Sequence, residues 1–580
     1  MREGVSREGN MFIVACNRSK TSDSISQKVQ LQQTKLYSFS AWVQISEGSE
    51  TVDVIFKTTH GEWIRGGSVV AKHGCWSLLK GGMIAHLSGP VEIFFVVMCL
   101  LHLIYVNFSL HIIEVCSDLC NNTRVEVWID NVSFQPFTTQ QWRSHQDKSI
   151  EEVRKSKVRF QVTYATGTAL GGAAVSIKQT KSGFPFGCGM NHYILLSNAY
   201  QNWFASRFKF TTFTNEMKWY STEKEQGHEN YTIADAMLSF AEKNGIAVRG
   251  HNILWDSPKM QPQWVKNLSP GELRIAATKR TDSVVRRYSG KLIAWDVMNE
   301  NMHFSFYEDK LGKNASSEYY LRAYQLDPKT KMFSNEFNTI EYSKEIRASP
   351  VNYVKKIKEI LSYPGIKGIL LGIGIQCHFS SGYPNLVYMR SALDILGSTG
   401  LPIWLTEVDV QKGPNQAQYF ESILREGYSH PAVKGIIIFS GPEVAGFSAI
   451  TLADKDFKNT PSGNVVDKLI AEWKTRTLKV IADSKGFAEA SLFQVSMAGP
   501  GQYVAPHTHH LTISCKKSGQ ETFDSFGWCV TTRRRINSHI QNLSRDLIQR
   551  KVPQLSFTTS FLALVYCIKK LGIEDLHKVS

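Results

Sequence analysis

The chain is 580 residues long, too long for one compact domain, with 42% apolar and 20% charged residues. These are the proportions of a globular protein of two or three domains and exclude a disordered one. Its formal charge of +15 raises nucleic acid as a partner. The basic residues are spread, though, apart from Arg533-Arg534-Arg535, and no recognition motif accompanies them, so no nucleic-acid partner is expected.

The N-terminus, MREGVSREGNMFIVACNRSK, lacks the apolar run of a signal peptide. Sequons at Asn17, Asn121, Asn131, Asn230, Asn267, Asn314 and Asn542 fit a secreted protein but recur by chance. Residues 1–36 read as an N-terminal segment that opens a sandwich. Residues 37–137 then alternate in short runs, "YSFSAWVQIS", "TVDVIFKTT", "CWSLLKGGMIA" and "VEVWIDNVSFQPF", as an antiparallel β-sandwich does.

One segment breaks that pattern. Residues 93–113, "IFFVVMCLLHLIYVNFSLHII", carry no Asp, Glu, Lys or Arg over about 20 residues, the length of a membrane-spanning helix. Their flanks, "VEIFF" and "VEVWIDN", both look like strands of a single sheet, which a membrane span would separate. We therefore read 96–120 as an apolar insertion into the sandwich, and any membrane association as confined to 93–113. Residues 138–157 are polar and charged, a linker with room for a short helix, and 158–184 hold a short β segment.

From residue 185 to 480 the rhythm changes to strand and helix in alternation. Eight strand candidates stand out: "PFGCGMN", "KFTTFTNE", "AVRGHNILW", "IAWDVMNE", "KMFSNEFN", "ILLGIGIQCHF", "PIWLTEVDV" and "KGIIIFSG". The segments between them carry apolar residues at helical spacing. Eight alternations over nearly 300 residues fit an α/β fold, a (β/α)8 TIM barrel, preceded by a small all-β jelly-roll sandwich. No G-x-G-x-x-G follows the first strand, which removes the best argument for an open doubly wound sheet. Residues 481–580 form an atypical tail, with "HTHH" at 507–510 read as a solvated loop.

Barrel active sites lie at the C-terminal ends of the strands. Polar residues collect there: Asn215 and Glu216, His251 and Trp255, Asn299 and Glu300, Asn335 and Glu336, Gln376 and His378, Glu407 and Asp409. Two facing carboxylates are the equipment of glycoside hydrolysis, one protonated as acid and the other ionised as nucleophile. His378 and Asp409 stand beside Glu407 as groups able to hold it charged; Trp295 and Trp255 offer apolar walls. Neither a metal nor a cofactor is expected, because the ten cysteines form no CxxC pair and no Cys/His ligand spacing.

The run 213–473, with "NEMKWY", "RGHNILWD", "PQWV", "IAWDVMNEN", "GIQCHF" and "LPIWLTEVDV" in order, resembles the plant endo-1,4-β-xylanases of glycoside hydrolase family 10. The resemblance implies Glu300 as acid/base and Glu407 as nucleophile of a retaining reaction on xylan or arabinoxylan. It implies Asn215, Lys218, His251, Trp255, Asn299 and Gln376 as substrate contacts, with His378 orienting Glu407. It also implies a monomer working in the cell wall. A xylan endotransglycosylase and a non-catalytic wall-polysaccharide binder are the alternatives. The chain departs from the family pattern at Thr214, where many members have glutamate, and at Phe439, where microbial members present Trp. More loosely, 37–137 resembles a family 22 carbohydrate-binding module, in which Trp42, Trp76 and Trp128 stand equally as sugar platforms or as core.

Overall fold

The computed structural model describes residues 2–5, 11–20, 22–98, 124–164, 166–179, 182–494, 511–516 and 528–532. Nine strands build the N-terminal sandwich: β1 (Arg2–Val5), β2 (Met11–Ala15), β3 (Ser26–Leu31), β4 (Leu36–Ile45), β5 (Ser49–Thr58), β6 (Trp63–Lys72), β7 (Ser77–Ile84), β8 (Gly89–Met98) and β9 (Val127–Phe137). They form two antiparallel sheets, β1-β2-β9-β4-β7 and β3-β8-β5-β6. Alternation decides which side chains point inward: Phe39, Ala41, Val43 and Ile45 of β4 are buried, whereas Trp42 between them is exposed. Phe39, Phe56 and Phe95 meet across the core with ring centroids about 6 Å apart.

Two sequence expectations are corrected here. First, "VEIFF" and "VEVWIDN" are not neighbours: β8 pairs with β3 and β5, and β9 with β2 and β4, in opposite sheets. Alternation shows that a segment is a strand but does not say which sheet receives it. Second, the apolar insertion does not begin at 96, because Val96 and Val97 continue β8. From Ile93 to Val97 the strand is unbroken in its apolarity because both faces are covered. Ile93, Phe95 and Val97 enter the main core, and Phe94 and Val96 pack with Ile55 and Trp63 on the other side. Residues 99–123, which include the rest of the proposed insertion (99–120), lie outside the described residues. Among the described residues, no helix is long and apolar enough to cross a membrane.

The expected linker is a third correction. Residues 139–154 form a 16-residue helix, α1 (Thr139–Arg154), anchored on the barrel. Trp142 Nε1 and Gln146 Nε2 donate to the fully buried Glu426 at 2.8 and 2.7 Å. Arg154 donates to the carbonyls of Tyr428, His430 and Val433 at 2.7–2.8 Å. The segment is polar because its polar groups are used, not because it is loose.

The chain then lays down β10 (Lys155–Val162) and β11 (Ala174–Gln179), which belong to a separate compact unit made of 155–182 and the chain after 473. Next come the barrel strands β12 (Phe186–Met190), β13 (Phe210–Phe213), β14 (Ala247–Trp255), β15 (Ala294–Asn299), β16 (Lys331–Glu336), β17 (Leu371–Ile375), the two-residue β18 (His378–Phe379), β19 (Ile403–Val410) and β20 (Val433–Ile438). Eight of these pair in parallel and close, with β20 returning to β12; β18 extends the end of the sixth beside β19. Each of the eight is followed by a helix, from Asn198–Arg207 to Pro461–Glu472. The helix Pro270–Tyr288 shows the local logic. Ser269 and Glu272 close a capping box over its first turn, and Pro270 sits where its missing N–H costs nothing.

The expected barrel boundary at 480 also moves. The last barrel helix ends at Glu472, and β21 (Leu478–Ile481) and β22 (Phe487–Phe493) pair instead with β11 and β10. Val158, Phe160, Val175, Ile177 and Leu492 fill that second unit's own small core. Strands β23 (Leu511–Lys516) and β24 (Trp528–Thr532) complete its pairing, and "HTHH" lies outside the described residues.

Candidate active site

Glu300 is the first residue past β15, and its backbone turns left-handed there, φ +62°. For a residue with a Cβ this conformation costs roughly 1–2 kcal/mol, and it aims the carboxylate across the barrel mouth. Two neutral donors receive it: Trp255 Nε1 at 2.7 Å on Oε2 and Gln376 Nε2 at 3.0 Å on Oε1. Glu407, inside β19, accepts from Asn335 Nδ2 at 2.9 Å on Oε1, and its Oε2 lies 3.7 Å from His378 Nε2. The other nitrogen of His378 meets Asp409 at 2.9 Å.

Two residues lock the carboxylates to each other. Asn335 accepts the backbone N–H of Glu300 at 3.0 Å and donates its amide to Glu407. Gln376 does the reverse: its amide reaches Glu300, and its backbone carbonyl accepts the N–H of Glu407 at 2.9 Å. Thr406 donates to Asn335 Oδ1 at 2.6 Å, so the amide must present its NH2 to Glu407. The same NH2 reaches Asn299 Oδ1 at 2.9 Å, while Asn299 Nδ2 is buried with no protein acceptor.

The electrostatics favour the ionised form of Glu407. Burial pushes Glu407 up, but His251, His378 and Lys218 outweigh it and hold the group well below the usual carboxylate range. Burial opposes the charge on His378, yet Asp409 and Glu407 push it up to about 11. Burial raises Asp409 against the pull of His378, and lowers Lys218, which lies 4.4 Å over the Trp255 ring. Glu407 thus sits among three basic side chains, whereas the two side-chain hydrogen bonds to Glu300 come from neutral donors.

The remaining expected residues fall as follows. Asn215 is exposed, and its Oδ1 accepts from Tyr220 OH at 2.8 Å and Lys218 Nζ at 3.3 Å. His251 is buried against Asp296 at 2.9 Å. Phe439 is half-buried, edge-on to His378 with centroids 5.9 Å apart. Glu216 and Glu336 are engaged elsewhere, Glu216 by the N–H of His192 and Glu336 by His303 and the N–H of Met302. In the sandwich, Trp76 and Trp128 each lie 5.4 Å from Phe12. Among the described residues no cluster of His, Cys, Asp or Glu is able to hold a metal.

Three contributors went unassigned in the sequence. Asn335 is noted there only as a polar strand end. Asp296, buried between Arg249 (2.6 Å) and His251, stands in the quoted "IAWDVMNEN" without a role of its own. Thr406, in "LPIWLTEVDV", has none either. A signal did exist for Asn335: the Asn-Glu pair at 299–300 recurs at 335–336, on the next strand.

Residues 176–441 match the model for glycosyl hydrolase family 10. The chain is 53% identical over 458 residues to endo-1,4-beta-xylanase 5-like of Arabidopsis thaliana, covering 79% of this chain and 76% of that one. It is 54% identical over 452 residues to endo-1,4-beta-xylanase 5 (78% and 75%), and 49% over 454 to endo-1,4-beta-xylanase 4 (78% and 76%), both from the same plant.

Proposed function

This chain belongs to glycosyl hydrolase family 10, and on that premise we propose that it hydrolyses internal β-1,4 bonds of xylan with retention of anomeric configuration. The observation that carries the reading is the reciprocal lock of Glu300 and Glu407 through Asn335 and Gln376. Glu300 protonates the departing oxygen while Glu407, kept ionised by its cations, attacks the anomeric carbon. Water, deprotonated by Glu300, then releases the glycosyl group. Asn299 Nδ2, buried without a partner, is a donor ready for a sugar hydroxyl, and an interaction of that kind accelerates the reaction when it tightens in the transition state.

The test uses the full chain on soluble arabinoxylan, following reducing ends and the anomer released. Oligosaccharides appearing first as the β anomer are expected. Folded protein that releases none, or releases the α anomer first, would overturn the reading. A cell-wall location is part of the same proposal, because the substrate is found there. Fractionation of the producing tissue checks it.

A further inference from the structure

The loop after β16, residues 337–349, contacts the segments next to both carboxylates, at Cys377 and at His303. Glu341 Oε1 accepts the backbone N–H of Cys377 at 2.7 Å. Cys377 joins Gln376 to His378, the partners of Glu300 and Glu407, and stands left-handed at φ +70°. A side chain there is strained, so a bond to its amide helps to keep that turn in place.

Further along the loop, Glu345 Oε2 lies 3.6 Å from His303 Nε2, an ion-pair distance longer than a hydrogen bond. His303 Nδ1 meets Glu336 at 2.8 Å, its ring stacks on Phe337 at 3.7 Å, and its backbone N–H reaches the Glu300 carbonyl at 3.3 Å. Burial opposes the His303 charge, but Glu336 and Glu345 push it up to about 9. The turn that begins at Glu300 is therefore pinned by a cation between two carboxylates.

The loop is in turn held from the sandwich. Arg65 of β6 donates from Nη1 to the Glu345 carbonyl at 3.3 Å. Its guanidinium is fixed by Asp53 of β5, at 2.9 Å from Nη2 and 2.7 Å from Nε, and both residues are buried. Sandwich and barrel also meet through contacts that do not involve this loop, such as Lys80 with Asp394 at 3.0 Å and Asn385 Nδ2 to the Gly82 carbonyl at 3.3 Å. Docking alone does not account for a buried guanidinium aimed at one carbonyl of one active-site loop.

We propose that the sandwich is a positioning part of the active site: through Arg65 it fixes loop 337–349, which holds the Glu300 turn and the Gln376–His378 segment in reacting geometry. The proposal rests on Glu300 and Glu407 being the reacting pair. Arg65, Glu341 and Glu345 are positioning residues and need touch no substrate. The effect is independent of any sugar the sandwich binds.

The experiment uses the full chain and an aryl β-xylobioside, a substrate that spans only the cleft. Arg65→Lys keeps a cation opposite Asp53 but gives up the planar fork that reaches Glu345. It should lower kcat about tenfold with KM within about twofold, a partial form of the loss that a 1 Å misplacement causes. Hydrogen exchange in 337–349 and 376–379 should quicken. Lys80→Ala, at the same interface but away from the loop, should change neither. Wild-type kcat and exchange in Arg65→Lys, or an equal loss in Lys80→Ala, would overturn the proposal. If Arg65→Lys does not fold, Asp53→Leu with Arg65→Met removes the pair without stranding a charge. Failure of the wild type to cleave the aryl substrate would count against the hydrolase reading, and the exchange measurements would still decide the coupling.

Discussion

Glu300 and Glu407 share a cleft but differ in what surrounds them, and that difference has kinetic consequences. A sugar is a poor leaving group and needs the proton of Glu300; a strongly acidic phenol does not. Glu300→Gln should therefore lose on the order of 10²–10⁴-fold on xylan, the usual worth of a general acid. The first step on a dinitrophenyl xylobioside should be nearly spared and show a burst of phenolate. Equal losses on both substrates would mean that Glu300 is not the acid.

The second prediction concerns the acid limb of kcat/KM. Glu407 must be ionised to attack, and it is held low by His251, His378 and Lys218 against burial. The acid limb should accordingly lie below the ordinary carboxylate range. His378→Gln removes one of these cations and leaves Asp409 facing Glu407, so the Glu407 carboxyl must rise and the limb must move to higher pH. A limb that stays put would reduce His378 to scaffolding. At this scale much of the site was legible, because Asn299, Glu300, Gln376, His378 and Glu407 stand at or near strand ends, where apolar runs turn polar. Asp296 was not legible: its partners, Arg249 and His251, lie 47 and 45 residues away in sequence.

Among the elements, the barrel strands were legible because each is a short apolar run closed by a polar rim. The sandwich strands were legible as strands, but their partners were not, since period-two alternation fixes a face and leaves the sheet open. Helix α1 was legible only as a short helix in a linker, for a related reason. Its buried residues Trp142, Gln146, Ile150 and Arg154 recur every four residues, as one face of a helix does, but two of the four are polar, so the stripe does not register as apolar. Its dock gives the third prediction. Glu426 accepts from Trp142, Gln146 and, at 2.6 Å, Arg390. Glu426→Ala strands three donors, one of them charged, at a cost on the order of 3–5 kcal/mol. The melting temperature should fall clearly, while kcat, measured well below it, should not change. A loss of kcat with no loss of stability would place α1 in the catalytic machinery instead.

The whole chain combines a catalytic barrel, a sandwich tied to it and an apolar stretch that composition alone does not place. The strand register now divides that stretch. Residues 96–98 pair with Asp53, Val52 and Thr51 of β5, and Val97 lies in the sandwich core, 2% exposed. Asp53 is also the carboxylate that fixes Arg65. Replacing 96–123 with a short Gly/Ser linker should therefore lower the melting temperature of the sandwich and, through Arg65, lower kcat on the aryl xylobioside. Replacing only 99–123 should do neither. The joint is feasible, because β8 and β9 lie in facing sheets about 10 Å apart, and six extended linker residues reach roughly 20 Å. Melting and kcat of the two chains beside wild type make the measurement. If replacing 99–123 alone collapses the sandwich, the apolar stretch beyond Met98 belongs to its core. If both chains match wild type, the end of β8 supports neither the sandwich nor Asp53.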